Sequence, residues 1–109
     1  MSLDIEELAG AMFAAFKEEL SEKWPEVKDY AKTESKKLAE NFVLIQKLLH
    51  EDKITKEQAK LHMDIQKNAT RAVLLTVEGL GLLAAEQAIN AALDVLKDTI
   101  NTALNFTLL

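Results

Sequence analysis

The chain has 109 residues, of which 49% are hydrophobic and 28% charged, and its formal net charge is −5. This length predicts a single domain over residues 1–109, and the composition is that of an ordinary globular protein rather than a disordered one. Three Gly and one Pro leave few turn residues, so long helices are expected in place of short strands joined by tight turns.

The first helix is predicted over residues 2–24, because apolar side chains recur there at steps of three and four. Ser2 is expected to cap its N-terminus. Pro25 then removes a backbone donor and interrupts the helical hydrogen bonding. The apolar series resumes at Val27 with no loop-forming cluster between. We therefore predict a second helix over residues 26–50, with a sharp kink or a one-residue break at Pro25.

The polar residues 50–55 predict the loop that follows the second helix. Thr55 and Gln58 have the spacing of a capping box, in which each side chain bonds the backbone amide of the other residue. This box predicts that a third helix starts at Lys56. The helical pattern then continues without interruption, so we predict one long helix over residues 56–104.

Two apolar stripes run along this predicted third helix, roughly 100° apart. The first contains Leu61, Ile65, Ala72, Leu75, Gly79, Leu82, Ile89, Leu93, Leu96 and Ile100. The second begins at Ala69 and continues through Val73, Val77, Leu80, Ala84, Ala88, Ala91 and Val95. A helix with two apolar faces needs two partners. We predict that the second stripe, from Val73 to Val95, is a self-association interface.

The loop near residue 53 would fold the chain into a long antiparallel hairpin. Trp24 and Pro25 would then lie opposite Gly79 and Gly81, and an indole facing two glycines would account for both irregularities. The competing interpretation breaks both arms at this level and forms a compact monomeric four-helix bundle.

Charge is distributed unevenly along the chain. Residues 1–31 carry eight acids and three bases, net −5; residues 32–71 carry six acids and nine bases, net +3; residues 72–109 carry four acids and one base, net −3. Two hairpins packed head to tail would place acidic ends beside basic ends. The sequence thus predicts an all-α fold in which two hairpins, each with the first arm kinked at Pro25, form an antiparallel homodimeric four-helix bundle.

Residues that could carry chemistry are few. The absence of Cys excludes a disulfide framework, a thiolate metal site and a Cys nucleophile. Neither His50 nor His62 has a Glu three residues before it, so the carboxylate metal pattern of helical bundles is absent. Glu78 and Glu86 lie about two turns apart on a helix, too far to act as a pair. We expect no metal, no cofactor and no catalytic activity.

The predicted function is therefore a small helical protein–protein interaction or structural module that self-associates, with another protein as a further partner to consider. The alternative is a helical regulator that binds nucleic acid through basic residues near the hairpin turn: Lys53, Lys56, Lys60, Lys67 and Arg71. The acidic N-terminus does not resemble a secretory signal, and no apolar stretch is long enough to span a bilayer. A cytoplasmic location is expected.

Overall fold

The computed structural model describes residues 3–109, and in that range it contains five α-helices and no β-strand. The helices are α1 (Ile5–Glu19), α2 (Trp24–His50), α3 (Lys56–Leu74), α4 (Leu82–Asp94) and α5 (Lys97–Leu104), with one 3-10 turn at Ser21–Lys23. The predicted all-α class is confirmed.

The long helix α2 is the spine of the molecule. Its 27 residues span about 40 Å at 1.5 Å per residue, close to the 42 Å long dimension of the protein. Helix α1 packs against α2 and α4, and α3 packs against α2 and α4. The largest completely buried side chains, which form the core between these helices, include Met12, Phe16, Leu38, Phe42, Leu74 and Ile100.

Helix α1 begins with a side-chain cap. The carboxylate of Asp4 accepts hydrogen bonds from the backbone N–H groups of Glu6 and Glu7 at 2.9 and 3.2 Å. A negative side chain at this position also interacts favourably with the helix dipole. Asp4 is thus the N-cap, and the predicted cap, Ser2, lies outside the described residues.

The first break in the helical pattern falls earlier than the sequence predicted. Helix α1 ends at Glu19 rather than at residue 24, and the 3-10 turn follows. Pro25 occupies the first turn of α2, where its missing N–H costs no intrahelical hydrogen bond. Pro25 therefore starts a helix and does not kink one.

The turn between α2 and α3 is built from two local motifs. Helix α2 ends in a Schellman motif, in which Asp52 adopts a left-handed conformation with φ 56° and the N–H of Lys53 donates to the carbonyl of Leu48 at 2.8 Å. The predicted capping box of Thr55 and Gln58 is present, with hydrogen bonds of 2.8 and 3.0 Å. Helix α3 starts at Lys56 as predicted.

The single helix predicted over residues 56–104 is wrong, because this segment forms α3, α4 and α5. Residues 75–81 leave the helix, with Gly79 at a φ of 84°. An apolar loop would be unfavourable if its side chains were exposed to solvent. In the structure Val77 and Leu80 are only 6% and 8% exposed, so the loop contributes its apolar side chains to the core. The second break, at Val95 and Leu96, contains neither Gly nor Pro.

The loop at Gly79 lies beside the turn between α1 and α2, close to the position that the predicted hairpin gives it. Its neighbour, however, is Lys23 and not the indole of Trp24: the Lys23 Nζ lies 2.7 Å from the position a Cβ on Gly79 would occupy. Trp24 packs instead on Phe13, edge to face, with ring centroids 5.1 Å apart. The predicted contact of Trp24 with two glycines is therefore replaced by a lysine contact.

Among the described residues, no helix combines the length and the apolar character needed to cross a bilayer.

Candidate interaction surface

Helix α3 is apolar on two opposite faces. Its inner face, which packs in the core, contains the buried residues Ala59, Met63, Thr70 and Leu74. Its opposite face contains Leu61, Ile65, Asn68 and Ala72 and continues to Leu75 at the C-cap; all five are exposed, and we call them the outer seam. Leu61 and Ile65 are 59% and 54% exposed, so more than half of each side chain faces solvent in the single chain.

The outer seam has the spacing of a coiled-coil contact. Its members follow one another at steps of four, three, four and three, which is the a/d pattern of a heptad repeat. Asn68 occupies the middle position, and its Oδ1 accepts a hydrogen bond of 2.8 Å from Nη1 of Arg71. A single polar residue inside such a seam fixes register and the number of strands at a cost in stability.

The sequence-predicted interface is distributed differently. Of its seven residues, Val77, Leu80 and Ala88 are buried in the core of the chain itself. Val73, Ala84 and Ala91 are partly buried, and only Val95 is exposed. The stripe is not a continuous surface in this structure, because the loop at 75–81 separates α3 from α4 and ends the common helical phase. Self-association itself stays a prediction.

The basic residues predicted as a nucleic-acid patch are partly brought together. Lys56, Lys60, Lys67 and Arg71 lie within one flank of α3, between its inner face and its outer seam. Several of these cations already have partners. Arg71 Nε lies 3.2 Å from Glu86 Oε1, Lys53 Nζ lies 3.7 Å from Glu51, and Lys56 Nζ lies 5.6 Å from the ring centre of Phe106.

The titratable residues singled out in the sequence are placed on surfaces. His50 and Glu78 are exposed, His62 is half-buried, and Glu86 is engaged by Arg71. Within residues 3–109, no group of three or more His, Cys, Asp or Glu side chains is arranged to hold a metal ion.

Sequence reasoning missed the outer seam, although a signal was present. Leu61, Ile65, Ala72 and Leu75 were recognised as part of the first stripe, so their spacing by steps of four and three around Asn68 was visible in the sequence. Self-association was predicted for the second stripe only. On α3 it is the first stripe that faces solvent.

The chain matches no protein-family model, and neither the curated proteins nor the solved structures contain a chain with significant similarity to it.

Proposed function

We propose that this protein is a small, non-catalytic helical module that self-associates as an antiparallel homodimer through the outer seam of α3. The observation that carries the proposal is that five successive a and d positions of a heptad repeat are exposed, on the face of α3 opposite its buried side. Apolar residues scattered singly on a surface need no explanation, but a row of them on one helix face favours a partner. The proposal keeps the predicted cytoplasmic location.

The outer seam is complementary to a second copy of itself. If two α3 helices pair antiparallel about Asn68, Leu61 of one copy lies opposite Leu75 of the other, and Ile65 lies opposite Ala72. Ile65 then faces the smaller Ala72, which favours close packing between helices, and the two leucines face each other. A two-fold contact requires this kind of self-complementarity, because the same patch is used by both subunits. The Asn68 side chains would meet near the axis and define the register.

The contact is expected to be modest in strength. The seam covers residues 61–75, about four helical turns and roughly 22 Å of one helix. On a helix roughly 10 Å wide, a strip of that length covers roughly 220 Å², which is small beside the roughly 800 Å² that each partner buries in a standard stable interface. The dimer should therefore dissociate on dilution, unless flanking side chains extend the contact.

Light scattering across a dilution series tests this proposal. The wild-type protein should approach twice its 12.2 kDa chain mass at high concentration and fall toward that mass on dilution. Ile65→Lys should remain at the monomer mass, because it places two charges in the seam. Val95→Lys is the matched control, since Ile65 and Val95 are 54% and 55% exposed.

Circular dichroism would establish that both variants keep their helix content. A wild-type protein that stays monomeric at all concentrations would refute the proposal. A dimer that survives Ile65→Lys but is lost in Val95→Lys would move the interface to the stripe predicted from the sequence.

A second candidate function is nucleic-acid binding through the basic flank of α3. It is supported by the shared flank of Lys56, Lys60 and Lys67, and it is weakened by the partners that Arg71 and Lys53 already have. Binding of a short RNA or DNA duplex should fall steeply with salt, because neutralised phosphates release counterions. Substituting Lys60→Gln and Lys67→Gln together should weaken that binding. No binding at low salt would eliminate this candidate.

A further inference from the structure

A groove between α1 and α2 lies on different helices from the outer seam and plays no part in the proposed dimer. Its volume is about 500 Å³, within the roughly 300–1,000 Å³ range typical of small-molecule sites. The α1 side is lined by Ile5, Ala9 and Phe13, which are only partly buried and leave an apolar floor open to the groove.

Gly10 keeps this floor open. It lies in the middle of α1 and lines the groove, and a Cβ built on it would meet no atom within 4 Å. A glycine inside a helix costs roughly 1 kcal/mol relative to alanine. Neither a close neighbour nor a left-handed φ requires glycine at this position. The missing side chain therefore leaves space that a ligand is able to fill.

The opposite wall of the groove is cationic. Lys28, Lys32 and Lys36 are spaced one helical turn apart on α2, and all three line the groove. None of their ammonium groups forms an ion pair with any of residues 3–109. Among the described lining residues Glu6 is the only acid, although the chain as a whole has a net charge of −5. This local excess of positive charge favours an anionic ligand.

Ser35 adds an unsatisfied polar group to the same wall. The residue lines the groove and is only 1% exposed, and its Oγ has no hydrogen-bond partner among residues 3–109. A serine in a helix often bonds the carbonyl four residues earlier, and Ser35 does not. A buried hydroxyl without a partner is destabilising, and a rotation of the Ser35 side chain toward the groove would let an oxygen of a bound ligand satisfy it.

From these four features we infer that the groove binds a monomeric aliphatic carboxylate, such as a medium-chain fatty acid. The hydrocarbon chain lies on Ile5, Ala9 and Phe13 across the space left by Gly10. The carboxylate faces the lysine wall and accepts a hydrogen bond from Ser35. An apolar floor beside a cationic wall fits a molecule with one apolar end and one anionic end. A purely polar anion would leave the floor uncovered, and a neutral hydrocarbon would leave the lysines without a counter-charge.

The protein contains its own reporter for this binding. Trp24 is the only Trp in the chain, and its ring contacts Phe13, which lines the groove. Decanoate, titrated below the concentration at which it forms micelles, should change the Trp24 emission with a saturable curve. Decanol, which has the same chain without the charge, should bind about tenfold more weakly because it loses a charge-assisted hydrogen bond.

Two variants locate the site. Gly10→Leu fills the groove and should weaken decanoate binding at least about tenfold while leaving the unfolding temperature equal or higher, since it also removes a helical glycine. Ala14→Leu is the control, because Ala14 is exposed on the same helix and does not line the groove. Lys32→Gln should weaken decanoate binding and leave decanol binding unchanged.

Isothermal titration calorimetry on the same variants gives a readout that does not depend on Trp24. The inference is overturned if Gly10→Leu binds decanoate like the wild type, or if decanol binds as tightly as decanoate. It is also overturned if vesicles of anionic phospholipid bind the protein while decanoate does not, because the cationic wall would then recognise a membrane surface.

Discussion

The hydroxyl of Thr70 on α3 donates a hydrogen bond of 3.1 Å to the carboxylate of Glu34 on α2, and both residues are buried. Lys37 Nζ lies 3.3 Å from the other carboxylate oxygen, with most of its own side chain in solvent. A polar contact between two residues that are 36 positions apart in sequence therefore joins the two helices inside their apolar interface.

Thr70→Val should destabilise the protein by about 1–3 kcal/mol, because it keeps the side-chain shape and removes one of the few partners of a buried carboxylate. Glu34→Leu combined with Thr70→Val should recover most of that loss, since replacing both partners by apolar groups is close to neutral. Urea unfolding of the single and double variants measures the coupling. Additive effects of the two substitutions would show that the hydrogen bond contributes nothing specific.

Gly79→Ala should destabilise the fold by about 1–2 kcal/mol, because Gly79 has a φ of 84° and an L residue is strained there. The new methyl group would also displace the end of the Lys23 side chain. Thermal unfolding is the measurement. Gly10→Ala, the same change in a helix interior with open space, is the control and should stabilise by about 0.5–1 kcal/mol.

Gly81→Ser should change the stability of the fold in the opposite direction to Gly79→Ala, although the two glycines are only two residues apart. Gly81 is the N-cap of α4 in an extended conformation with φ −82°, and no side chain of residues 3–109 caps this helix. A serine hydroxyl there would satisfy a free N–H of the first turn and should stabilise by about 0.5 kcal/mol. A loss of stability in denaturant unfolding would contradict this assignment of the cap.

Asp52→Gly should stabilise the turn between α2 and α3 by about 0.5–1 kcal/mol. Asp52 holds the left-handed position of the Schellman motif with φ 56°, where glycine has no steric cost. The substitution also removes a negative charge from the C-terminal end of α2. Asp52→Ala, which removes the charge but keeps the strain, should not reproduce the gain in chemical denaturation.

Asn101→Ala should release the C-terminal segment without unfolding the protein. The Oδ1 of Asn101 accepts hydrogen bonds from the backbone N–H groups of Leu108 and Leu109 at 2.9 and 3.0 Å. Hydrogen exchange at these two amides should become about tenfold faster, the effect of losing roughly 1.4 kcal/mol. Asn90→Ala on the exposed side of α4 should leave their exchange unchanged.

Features with a local cause were predictable. The capping box of Thr55 and Gln58 needs only residues three apart, and it set the start of α3 correctly. The sequence indicated a discontinuity at Pro25, but the predicted kink was wrong. A proline in the first turn of a helix and one that kinks a helix look alike in sequence.

Features that depend on distant partners were missed. The loop at 75–81 is stable because Val77 and Leu80 reach the core, and a one-dimensional pattern does not show that an apolar loop is covered. The break at Val95 and Leu96 has no Gly or Pro to announce it. The α1–α2 groove likewise needed the packing of two helices, although Gly10 and the spacing of Lys28, Lys32 and Lys36 were visible separately.

By itself the sequence determined that the chain is helical and where the capping box starts α3, because helix formation and capping depend on residues within one or two turns of each other. The tertiary structure alone decided which apolar stripe of α3 faces the core. Ala59, Met63 and Leu74 are buried while Leu61, Ile65 and Leu75 are exposed, and both sets are apolar enough to pack. The choice between them follows from the loop at 75–81, which lets α4 fold back and pack beside α3 against α1.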